Sequence, residues 1–296
     1  MSTFQFLNGL KASPLMIHSS GYEALIASAT SILNGLNIPE KQPIAISNTK
    51  GERLPETYSG NPYDKMDSGS IAIIPLHGVM FKHGSWRNYG VDEIARYIKL
   101  AYESENISAV LINGDSPGGY TDSVYLIEEV LRGKNKPTWM FVSGQLCSCA
   151  LYVGSFCDKI YAINDMCTVG SLGVFAQLVY PTPGATTSYT IREIYPDESK
   201  LKNYPTREAI GGNDDPLKDE LSVLAVHFQN IMKENRPGIT DNNVFLGKDY
   251  RAINAVAIGL IDGVKTERDV IEDLAAETSH TTSAAYREEI TRLFNE

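Results

Sequence analysis

Between Ser70 and Ile163 the chain alternates short apolar runs with helical stripes, and this alternation limits the fold more than any other feature. Ile71-Ala72-Ile73-Ile74-Pro75-Leu76 is apolar and β-leaning. A helix is predicted near 92–104, with Ile94, Tyr97, Ile98 and Ala101 on one face and Asp92 as its N-cap. Ala109-Val110-Leu111-Ile112 reads as a buried strand ending at Gly114. A second helix follows over 121–132, with Val124, Ile127 and Leu131 inward and Gly133 as its stop. Trp139 to Val142 is the next strand, Ser148 to about Cys157 the next helix, and Lys159 to Ile163 a strand again. Repeated strand–helix–strand units wind right-handed and give an α/β fold with a largely parallel sheet. Sites in such sheets lie at the C-terminal ends of the strands.

The flanks are simpler. Residues 1–20 carry no clear period. Tyr22, Leu25, Ala29 and Ile32 recur at helical spacing, so 21–35 reads as an amphipathic helix, and 36–69 as a polar arm rich in Pro, Gly, Asn and Ser. Beyond a less regular stretch at 175–212, Asp215-Pro216 opens a helix to about Asn235. Leu217, Leu221, Leu224, Phe228 and Ile231 mark its packed face, and Arg236-Pro237-Gly238 ends it. A short helix with Ala252, Ala255 and Val256 leads to Gly259-Leu260-Ile261-Asp262-Gly263. The expected organisation is a helical N-terminal arm (1–69), one domain (70–275) and a polar helical tail (276–296).

Charge and motifs exclude several functions. With 26 basic against 36 acidic residues the net charge is −10, which argues against nonspecific nucleic-acid binding. No apolar run approaches the roughly 20 residues of a membrane helix. Met1 to Leu10 lacks the basic and apolar regions of a signal peptide, so no membrane is expected and the cytoplasm is the expected compartment. Cys147, Cys149, Cys157 and Cys167 lack CxxC spacing and have no histidine at ligand spacing, so they read as buried thiols and no metal is expected. Neither a P-loop nor a Rossmann glycine loop occurs, and no cofactor is expected.

The chemistry concentrates where the third strand stops. Ser148, in Gln145-Leu146-Cys147-Ser148-Cys149-Ala150, lies at a strand-to-helix turn. A serine hydroxyl needs a base and a site that stabilises the tetrahedral oxyanion. Asp115-Ser116-Pro117-Gly118-Gly119 can present the N–H of Gly118 or Gly119, and the N–H of Cys149 follows the serine. The same Pro-Gly-Gly reads equally as a tight turn. The base could be histidine or lysine. None of His18, His77, His83, His227 and His280 sits in a motif that points at Ser148. Lys200, in Glu198-Ser199-Lys200-Leu201-Lys202, reads by composition as a solvated surface lysine.

From Ile71 to Asp262 the chain resembles the S49 peptidase family, which includes bacterial signal peptide peptidases and phage prohead proteases. DSPGG at 115–119 is similar to the family's SPGG turn. Ser148 with Tyr152, Ser155 and Asp158-Lys159-Ile160-Tyr161-Ala162 resembles the nucleophile segment. Gly170-Ser171-Leu172-Gly173-Val174 matches GS[IL]GV, and Ala255 to Asp262 resembles the closing A…GL[IV]D. Lys200 stands before Pro205-Thr206-Arg207-Glu208 as the family's lysine does, with Lys202 in reserve because Asp197-Glu198-Ser199 replaces the usual preceding glycine.

The resemblance implies a ClpP/crotonase-type core and a Ser148–Lys200 dyad. Ser171 would orient the lysine, and Gly118, Gly119 and Cys149 would form the oxyanion hole. It further implies a polypeptide substrate, and a homo-oligomeric ring in which the lysine can come from a neighbour. Cys149-Ala150 stands where cellular members carry Gly-Gly and is more phage-like. The expected lack of a membrane anchor favours the phage prohead type, so capsid or scaffold proteins are the expected partners, in the host cytoplasm or prohead. A soluble cellular peptidase and an inactive assembly protein are the alternatives.

Overall fold

The structure, a computed structural model, describes residues 15–20, 60–84, 89–178 and 194–278. The helix expected over 21–35, most of the polar arm, His280 and the end of the tail lie outside these residues.

The frame is a parallel sheet. Strands β2 (Ser70–His77), β3 (Ile107–Ser116), β5 (Thr138–Cys147), β6 (Lys159–Ala162) and β9 (Gly263–Val264) run parallel in that order. Helix α1 (Val91–Glu103) connects β2 to β3, and α2 (Val124–Arg132) connects β3 to β5. The α/β architecture with a largely parallel sheet, expected from the strand–helix alternation, is the one observed.

Two faces of the sheet are buried, and the strand period of two sorts the residues between them. Ala72, Ile74, Val110, Ile112, Met140 and Val142 pack with α1, α2 and the segment after β5. Ile71, Ile73, Ala109, Leu111, Trp139 and Phe141 pack on Val270 and Leu274 of a helix over 267–278. These runs carry no polar/apolar alternation because neither face meets water.

The strand carrying the candidate serine is longer than its apolar core predicts. Trp139 to Val142 pairs with β6, but Gln145 to Cys147 continues beside a different strand, β7 (Thr168–Gly170). The register against β3 shifts between Gly114 and Ser116, so Ser143, Gly144 and Gln145 are accommodated as the strand changes neighbours. On its far side β7 pairs antiparallel with β8 (Asp249–Arg251). The small polar residues 143–145 gave no strand signal: Gln145 pairs with Thr168, while Ser143 and Gly144 fall between the paired stretches.

Three further expectations are corrected. The cap of α1 is Gly90, not Asp92: Glu93 Oε2 accepts from Gly90 N–H at 3.0 Å, and Asp92 lies inside the first turn. Within the polar arm, Pro62–Lys65 forms a 3-10 turn whose Tyr63 is fully buried, with Met66 beside it in the core. The long helix Asp215–Asn235 buries only Phe228 and Met232, with Leu224 and Ile231 partly covered. Its N-terminal half packs on a short helix over Tyr204–Ile210 and leaves Val223 71% exposed.

Candidate active site

Ser148 follows β5 directly and precedes α3 (Cys149–Gly154), a short helix buried along its whole length. Its backbone has φ 56 and ψ −119, outside the regions L-residues normally occupy. Such strain persists only where the surroundings over-determine it. Here they do. Ser148 N–H donates to the Gly170 carbonyl at 2.8 Å, and the Ser148 carbonyl accepts from Tyr152 N–H at 2.9 Å. Tyr152 anchors the helix, its hydroxyl donating to Glu128 Oε2 at 2.7 Å and its ring meeting Phe228 edge-on. Ser148 is 1% exposed, and its Oγ lies 3.5 Å from the Gly173 carbonyl.

Gly118 meets the serine from β4 (Gly118–Tyr120), just beyond β3. Its φ is +96, and a Cβ there would sit 2.9 Å from Ser148 Cβ and run into the Met16 carbonyl. Glycine is therefore required both by conformation and by close approach. Gly118 N–H points to Ser116 Oγ at 3.2 Å, and that hydroxyl donates to the Gly78 carbonyl at 2.6 Å. The turn is fixed below by Asp115, whose Oδ1 accepts from Gln145 N–H at 3.1 Å. Cys149 N–H begins α3, where amides have no intrahelical partner.

Gly170 and Ser171 complete the wall. Gly170 has φ +136, and Ser171, with φ 55, donates its N–H to the Lys248 carbonyl at 3.2 Å. Ser148, Gly118, Gly119, Cys149, Gly170 and Ser171 thus come from three strand ends of one sheet region. Lys200 and Lys202 are exposed beside a 3-10 turn over Asp197–Ser199. Among the described residues no hydrogen bond links either amine to Ser148; the Lys200 carbonyl accepts from Arg207 Nη2.

The sequence offered no signal for one segment that lies against the turn. Strand β1 (Leu15–Ile17) pairs antiparallel with β4, setting Met16 opposite Gly119 and Ile17 opposite Gly118. His18 N–H donates to the Pro117 carbonyl at 2.7 Å. Three residues are too few for a periodicity to show.

The four cysteines are buried free thiols, as expected. Burial pushes Cys147, Cys149 and Cys157 up to about 12 each. Protonated thiols are poor nucleophiles, so those flanking Ser148 do not compete with it. Each ionises near pH 9 once unfolded but holds its proton in the folded chain. Their stabilising contribution is therefore intact below that pH and is lost as pH rises toward 12. Urea titrations should give a lower midpoint at about pH 10 than at about pH 8. Iodoacetamide should leave the native thiols unmodified at the lower pH; rapid alkylation there would show that the thiols are accessible.

No group of three or more metal-ligating side chains, and no helix long and apolar enough to cross a membrane, occurs among the described residues.

Comparisons with known proteins agree with the motifs. The chain is 29% identical over 116 residues to Protease 4 of Haemophilus influenzae, covering 38% of this chain and 18% of that protein. It is 26% identical over 111 residues to the head-tail preconnector protein GP5 of Enterobacteria phage P21, covering 35% of this chain and 22% of that protein. The matched stretch therefore spans less than a quarter of either relative. Among solved structures, a mutant of the 1510-N membrane-bound stomatin-specific protease in complex with a substrate peptide aligns with TM-score 0.43 and 15% identity, over 69% of this chain and 77% of that one. The model of peptidase family S49 matches residues 131–281, just over half of the sequence, and the chain belongs to that family.

Proposed function

We propose that the protein is a serine endopeptidase with Ser148 as nucleophile. The observation that carries this reading is the strained Ser148 backbone at the end of β5, with Gly118 held against the serine. Ser148 Oγ attacks a peptide carbonyl and gives its proton to an uncharged lysine amine. The oxyanion is received by N–H groups of the Gly118-Gly119 turn and of Cys149. Collapse expels the amine half of the substrate, protonated by the lysine, and leaves an acyl-enzyme that water hydrolyses.

Lys200 is the proposed base, with Lys202 in reserve and Ser171 orienting the amine. Both lysines are exposed in the single chain, so the proposed dyad forms between protomers of a ring, where a neighbour supplies the amine and desolvates it. Lys200→Ala should lower hydrolysis by about 10³-fold or more without disturbing assembly. Mixing this variant with Ser148→Ala tests the arrangement. Recovered activity supports a dyad shared between protomers, and its absence assigns the dyad to one chain. If Lys202→Ala is the inactive variant instead, Lys202 is the base.

The likeness to a protein named for the head-tail preconnector of a phage supports capsid or scaffold proteins as substrates. Co-expression with such proteins should yield defined cleavage products, and their absence would favour the soluble cellular peptidase. The exposure of both lysines also favours a second reading, an inactive member that serves in assembly. A fluorophosphonate probe that fails to label Ser148 in the assembled protein would support it.

A further inference from the structure

Strand β4 runs beside Ser148 and has two edges. One is used within the domain: Met80 N–H donates to the Gly118 carbonyl at 2.8 Å, and Tyr120 N–H donates to the Met80 carbonyl at 3.0 Å. That leaves the N–H and C=O of Gly119 facing the other way. The second edge carries β1, and the bond from His18 N–H to the Pro117 carbonyl sets the alternation of the pair. Two residues along, Met16 and Gly119 are the next pair to exchange main-chain bonds. The Met16 carbonyl accordingly lies over Gly118, on the side of the glycine that faces Ser148.

An extended polypeptide that binds by adding a strand needs an unpaired edge. Beside Ser148 the edge available to it is the one β1 covers. β1 forms only a two-stranded sheet with β4, apart from the main sheet. Met16 is fully buried, but among the described residues the side-chain contacts that tie the segment to the domain are few. Ser20 Oγ donates to Gln145 Oε1 at 3.3 Å, and His18 Nε2 stands 3.9 Å from Asp249 Oδ2. A strand of three residues held in this way can be exchanged for another peptide.

We propose that residues 15–20 are an internal occupant of the substrate edge, a strand that blocks the site in cis and that an extended peptide must displace. This rests on the reading of Ser148 as nucleophile. A chain in which the open state is a minor population reacts at a rate reduced by that fraction.

The test uses the full chain. Met16→Asp puts a charge where the side chain is buried and should release the strand. Fluorophosphonate labelling of Ser148 and hydrolysis of an unstructured peptide should both rise, by about tenfold or more. A second variant guards against misfolding: His18→Ala with Ser20→Ala leaves the buried contacts alone and should raise both rates by about two- to threefold. A synthetic peptide of residues 15–20, added to the Met16→Asp chain, should slow labelling again. Equal labelling of the parent chain and the doubly substituted variant, with unchanged hydrolysis, would overturn the blocking role and leave the nucleophile reading in place. Lower rates in that variant would make β1 part of the working site and overturn the blocking role too. Absence of labelling in every variant would overturn the nucleophile reading, and the blocking role with it.

Discussion

Ser148→Ala is expected to abolish peptide hydrolysis, by at least about 10³-fold, while leaving the fold unchanged. Among the described residues the oxygen removed has one weak hydrogen bond, to the Gly173 carbonyl at 3.5 Å, so little stability is lost with it. The constraint on the turn is main-chain: Ser148 N–H to Gly170, the Ser148 carbonyl to Tyr152, and a buried helix after it. Alanine keeps all of these. Steady-state hydrolysis of a fluorogenic peptide, compared with the thermal midpoint of the same preparation, separates the two effects. Retained hydrolysis in a folded Ser148→Ala chain would remove this serine from the mechanism.

Gly170→Ala is expected to cost both stability and activity. At φ +136 an added Cβ is strained whatever the space, and here the space is taken: it would lie 2.6 Å from Asp249 Cα and 2.6 Å from the Lys248 carbonyl. Both obstacles are backbone and cannot rotate away. The loss should be about 3 kcal/mol or more, the range of strained positions combined with overpacking. The same residue supplies the carbonyl that holds Ser148 N–H, so β7 cannot move aside without releasing the nucleophile's turn. A Gly170→Ala chain with an unchanged urea midpoint would contradict this account.

Much of the sheet was legible because its strands are apolar runs separated by amphipathic helices. Ser148 was legible because small residues follow such a run. Less visible were short elements whose partners are remote: β7 pairs with β8, and β1 with β4, far away in sequence. Tyr63 and Met66 lie in a polar stretch that gave no reason to expect burial. The apolar stripe of the Asp215–Asn235 helix overstated its burial, since periodicity reports an apolar face but not whether the sheet reaches far enough to cover it. Lys200 had no physical signal of its own. Only the surrounding motif singled it out, and its side chain is exposed.

The pairing of β7 with β8 bears on synthesis at the ribosome. Gly170, which fixes the serine's turn, lies opposite Asp249, about eighty residues nearer the C-terminus. The first two-thirds of the sheet can emerge and begin to fold while this support is still untranslated. The nascent chain therefore carries Ser148 in an unfinished setting until β8 has been made.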